Sequence, residues 1–174
     1  MKKNYRSFVF ALALTGAAGP ALAQNTSTPP YPDAVISLSG PRFGITYLSE
    51  GVIEKLQERH IDVGNVVSQF GWQFEKRFYS SDNGVTAVTE AVLLVGGLDQ
   101  SVVLPSLSWL VGIRTPGGSE FGIGPNITPA GVALAAAMGV TFRAGALNVP
   151  VNVAVVPSKS GMRVSFLTGF NMRR

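Results

Sequence analysis

Cysteine is missing from this 174-residue chain and histidine occurs once. Without Cys there is no disulfide, no thiol nucleophile and no lipid-bearing cysteine behind an export signal. A zinc site needs three or four His, Cys or carboxylate ligands together, and a lone His60 leaves that set short. His60 instead reads as a helix-terminal imidazole, attracted to the carbonyl end of the dipole. No serine sits in a Gly-x-Ser-x-Gly elbow, and Gly122-Ile123-Gly124-Pro125 lacks the spacing and the helix of a phosphate loop. These gaps argue against an enzyme, and neither cofactor nor metal is expected. Charge is scarce as well: Asp, Glu, Lys and Arg make up 14% of the residues. Beyond the first two dozen positions no apolar run is long enough for a transmembrane helix, although 46% of the chain is hydrophobic.

What is present begins with an address. Met1-Lys2-Lys3-Asn4-Tyr5-Arg6 is a charged start, Phe8 to about Gly19 a short apolar run, and Ala21-Leu22-Ala23 a small-residue cleavage motif. Together they read as a secretory signal over residues 1–23 rather than a membrane anchor. The segment holds three of the 14 basic residues, leaving 11 against 10 acidic ones. With that balance, nucleic-acid binding has no electrostatic basis. Residues 24–33, rich in Asn, Thr, Ser and Pro, read as a flexible leader, and residues 34–174 as one domain.

The dominant pattern has a period of two. From Leu147 to Val155 large apolar residues fill the odd positions and Asn, Pro, Asn and Ala the even ones. A strand sends successive side chains to opposite faces, so this is a ribbon with one greasy and one small, polar side. The rhythm predicts eight strands: Val35–Leu48, with a kink at Gly40-Pro41; Asn65–Phe78; Val85–Val95; a fourth through Val103 to Arg114; a short fifth around Phe121; a sixth from Gly131 to Arg143; the seventh around Val151; and Met162–Phe170. The third is more uniformly apolar than the others, which leaves its facing open. Ala133–Ala137 could instead be helical, but Gly131, Gly139, Val140 and Thr141 around it favour a strand. One amphipathic helix is expected from Glu50 to about Arg59, with Ser49 as its N-cap. The fold class is therefore all-β: an eight-stranded antiparallel up-and-down β-barrel with one short helix between strands one and two.

Two kinds of barrel share this alternation. A soluble ligand-binding barrel turns its large apolar residues inward; a membrane barrel turns them outward to lipid. The non-greasy face here is mostly Gly, Ala, Ser, Asn and Gln with about one charge per strand, which suits a narrow interior better than a water-facing surface. Phe70, Trp72, Phe74, Trp109, Phe142, Val149, Val151, Val153 and Phe166 are assigned to lipid. Arg42, Arg114, Arg143 and Arg163 are expected inside, pairing with Glu75, Glu90 or Glu120 or with water, since isolated burial of each ion is costly. Glu75 and Glu90 could also form a carboxylate pair, though an ion-pair network is the plainer expectation.

On this pattern, from about Val35 to Asn171, the chain resembles the small eight-stranded outer-membrane barrel proteins of Gram-negative bacteria. In their last strand the assembly machinery reads a polar-x-Gly-x-x-apolar-x-aromatic pattern, which Lys159, Gly161, Val164 and Phe166 match, with Phe170 as a later aromatic. The chain ends on Asn171-Met172-Arg173-Arg174, where the family commonly ends on an aromatic residue. The resemblance implies an outer-membrane location, with the lipid bilayer and the assembly machinery as partners, both termini in the periplasm, and a structural or interaction role without a wide pore. The alternative is a periplasmic or secreted barrel around a lipid-like ligand, with residues 50–60 as a lid and the aromatic residues lining the pocket.

Overall fold

The computed structural model describes residues 37–172. The residues expected to form an export signal and a leader, and the first two residues of the expected first strand, lie outside that range. Eight strands form the ring: β1 Gly40–Leu48, β2 Val66–Ser80, β3 Thr86–Gly96, β4 Leu104–Arg114, β5 Ser119–Thr128, β6 Gly131–Ala144, β7 Leu147–Ser158 and β8 Gly161–Gly169. Each pairs antiparallel with the next, and β8 pairs with β1, so the barrel is closed. A two-residue strand, β9 Asn171–Met172, pairs with β7 in the register that β8 already has; the break falls beside Pro150, which has no N–H to give the ladder. Closure leaves no edge strand in the ring open to other chains.

Followed from Gly40 through Gln73, Val92, Ser108, Asn126 and Ala133 and on through β7 and β8, the register returns to the β1 edge displaced by about ten residues. Such stagger tilts the strands steeply and gives a lumen that side chains fill. Inward glycines let neighbouring strands approach closely. A Cβ on Gly71 would stand 1.9 Å from the Leu93 carbonyl oxygen, and one on Gly44 equally close to that of Phe166.

Helix α1, Glu50–Gln57, follows β1 and lies over the barrel end opposite the one where β1 begins and β8 finishes. Its apolar stripe points down: Val52 and Leu56 pack with Leu48, Val63, Val67 and Leu104 in a buried cluster. Ser49 holds the N-cap position, but its hydroxyl does not cap the helix; it accepts from the Met162 N–H at 2.9 Å, tying α1 to β8. The alanines of β6 are in strand, as the flanking β-formers imply. The irregularity expected at Gly40-Pro41 lies elsewhere. β1 simply begins there, and the register shift falls between Arg77 and Tyr79, a bulge that turns both Phe78 and Tyr79 outward. In the third strand, Val88, Glu90, Val92 and Leu94 face inward and buried, while Leu93 faces out.

Candidate functional site

The lumen has a charged half and an apolar half. In the charged half, near the end with the short turns, Arg114 of β4 gathers three carboxylates. Its Nη1 donates to Glu75 Oε1 at 2.7 Å and its Nη2 to Glu75 Oε2; Nε and Nη2 donate to Glu120 Oε2 at 3.2 and 2.7 Å. Glu90 stands 3.7 Å from Nη2. The register explains the gathering. Glu75 and Glu90 are direct partners across β2 and β3, Arg114 and Glu120 across β4 and β5, and pleat parity sends all four inward. Asn152 Nδ2 donates to Glu120 Oε1. The three carboxylates offer oxygens within 4.8 Å of one another, spacing that could hold a metal ion. The Arg114 guanidinium already stands among them as a cation, one positive charge against three carboxylates.

Arg42, 1% exposed, satisfies itself differently. Nε donates to Gln73 Oε1 at 3.0 Å, Nη1 to the Pro41 carbonyl at 3.0 Å and Nη2 to the Leu38 carbonyl at 2.7 Å. Leu38, buried beside it, closes this end of the lumen.

Between the charged cluster and α1 lies a cavity of about 90 Å³. Leu48, Val52, Leu56, Val67 and Leu104 form its roof, and Ala135, Ala137 and Val156 part of its wall. Its polar lining includes Asn126, whose Nδ2 donates to Ser106 and Ser108 at 3.0 and 2.8 Å, and Arg163, whose Nη1 donates to Thr128 Oγ1 at 2.5 Å. Several buried polar atoms at this cavity have no protein partner: Gln73 Nε2, Asn126 Oδ1, Asn152 Oδ1 and Arg163 Nε.

Of the seven residues expected in a lumenal network, the structure brings Glu75, Glu90, Arg114 and Glu120 together. Arg42 lies inside with its own partners, and Arg163 lies inside apart from them. Arg143 is the correction: it is exposed. It has inward parity, but β5 pairs with β6 only as far as Val140, so Arg143 stands on a β6–β7 hairpin that overhangs the ring and has no lumen to face. The second correction is to the interior itself, expected to be small and polar but apolar across the half beneath α1. The apolar stripe of the helix was the signal for this, since Val52 and Leu56 needed greasy partners.

The outer face carries the residues assigned to lipid. Phe70, Trp72, Phe74, Trp109, Phe142, Val151 and Phe166 are exposed, and Val149 and Val153 are half-buried among them. Among the described residues no aromatic side chain lines the cavity, so the expected aromatic lining of a ligand barrel is not seen there. His60 is exposed, at a left-handed φ of 61° in the turn after α1. In comparisons with family models, characterised proteins and solved structures, nothing matches this chain.

Proposed function

We propose that this chain is a small outer-membrane β-barrel protein with a structural or interaction role and no wide pore. One observation carries the reading. At the outward positions of all eight strands, Lys76 is the only charged residue, and it lies toward the turn end of β2, where its long side chain can reach a polar interface. The rest of that face is Val, Ile, Leu, Met, Phe, Trp, Tyr and Pro with a few Ala, Ser and Thr, running around the ring. The largest apolar patch on a typical soluble monomer covers only about 300–600 Å². A continuous belt around a barrel is what hydrocarbon would cover.

Further features agree. Phe43, Phe78, Phe121, Phe142 and Phe170 stand near the strand ends at the side with the short turns, a position suited to an interfacial aromatic belt. Both described chain ends lie on that side, which the reading places in the periplasm, with α1 over the outer mouth. In eight strands filled by side chains there is no room for a wide channel. The bilayer and the assembly machinery that reads β8 are the partners implied.

The cavity under α1 favours a second reading, a soluble barrel enclosing a lipid-like ligand; its greasy exterior would then need another protein surface to cover it. Cell fractionation with gel mobility separates the two. The membrane reading expects the chain in the outer-membrane fraction, released only by detergent, and migrating differently with and without boiling. Recovery wholly in the soluble periplasm would contradict it.

A further inference from the structure

We propose that the lumenal cavity beneath α1 is a binding site for a short-chain organic carboxylate, with Arg163 holding the head and the roof of Leu48, Val52 and Leu56 covering the tail. Arg163 is 7% exposed and projects inward from β8, opposite Leu48 on one side and Val156 on the other. Its one hydrogen bond runs from Nη1 to Thr128 Oγ1. Nε is buried without a partner, and no carboxylate of the described residues lies within ion-pair distance, because all three lumenal glutamates are gathered on Arg114. A buried guanidinium left in this state is unfavourable, since its charge and its Nε–H are unanswered. The open Nε and Nη2 edge of the planar fork is the geometry that takes two oxygens of one carboxylate side by side.

The neighbours select the rest of the ligand. Of Arg42, Arg114 and Arg163, only Arg163 keeps an unanswered edge: Arg42 has its donors on Gln73 and two carbonyls, and Arg114 has its carboxylates. The roof above Arg163 is wholly apolar, which suits an alkyl tail. A cavity of about 150 Å³ admits the six carbons of benzene, so one of about 90 Å³ takes about four to five non-hydrogen atoms, the size of acetate to propanoate. Asn126 Oδ1 and Gln73 Nε2, also without partners, leave positions for a water or a hydroxyl on the ligand. The site lies inside the closed ring, so the inference holds whichever medium surrounds the outer face.

The test is a titration of the full-length folded chain with propanoate and, separately, propylammonium. It is followed by NMR of the arginine Nε–H resonances, with the Arg163 signal identified by its loss in R163Q or in R163K. Propanoate is expected to shift that resonance saturably and propylammonium to leave it in place. R163Q should lose at least about tenfold in propanoate affinity, as removal of a charge-assisted bidentate pair implies, and R163K should retain part of it. A135M, which fills the cavity from β6 without touching the charge, should weaken binding too. An Arg163 resonance unmoved by propanoate, meaning that water alone fills the cavity, would overturn the proposal. So would an equal response to propylammonium, or undiminished affinity in a folded R163Q; the wild-type comparison of the two ligands decides the matter even where one of the two Arg163 variants fails to fold.

Discussion

Arg114 and Arg143 are the same residue type at the same inward parity, yet one is enclosed by three carboxylates and the other stands in the open. The difference lies in how many strands stand beside them. Arg114 faces a complete ring, whereas Arg143 has only β7 as a strand partner at its level. Replacing Arg114 with Ala would leave three buried carboxylates facing one another, and we expect a loss of about 3–5 kcal/mol in reversible urea unfolding. Arg143→Ala should change the same measurement by less than about 0.5 kcal/mol. Gly71→Ala is a third test at this scale. The new methyl group would press on the Leu93 carbonyl, and since backbone rather than a mobile side chain must give way, the loss should be about 1–3 kcal/mol. Inward or outward direction was legible for most of these residues, because pleat parity is local. Where the ring ends was not, because that depends on how far a neighbouring strand extends.

At the scale of elements, seven of the eight strands show their facing in the bare alternation, because on each of them one face is bulky and the other small or polar. β3 does not, and the structure gives the reason: it crosses from the charged half of the lumen into the apolar half, so Val92 and Leu94 are as greasy inward as Leu93 is outward. The helix was legible from its stripe, but its role was not, since pattern alone does not say whether a stripe meets lipid, a partner or its own barrel. Here it meets Leu48, Val63, Val67 and Leu104. Leu56→Ala should open a void in that cluster and lower stability by about 2–5 kcal/mol, measured by urea unfolding. Glu54→Ala, on the exposed side of the same helix, should be nearly silent. Equal effects of the two would mean that α1 does not close the barrel mouth.

At the scale of the whole molecule, the usual division of polar and apolar surfaces is partly reversed. Arg42, Arg163 and the cluster of Arg114 with its glutamates are enclosed, while a belt of bulky apolar residues looks outward all round. That reversal connects the closed fold to the proposed place in an outer membrane, and the tryptophans offer a direct probe of it. The chain has two, Trp72 and Trp109, 46% and 57% exposed on the outer face of β2 and β4. The most direct measurement is fluorescence quenching after the chain is folded into vesicles whose lipids carry bromine on their acyl chains. The account expects strong quenching of both tryptophans by the brominated chains and little by aqueous iodide; quenching by iodide with none from the lipid would contradict it.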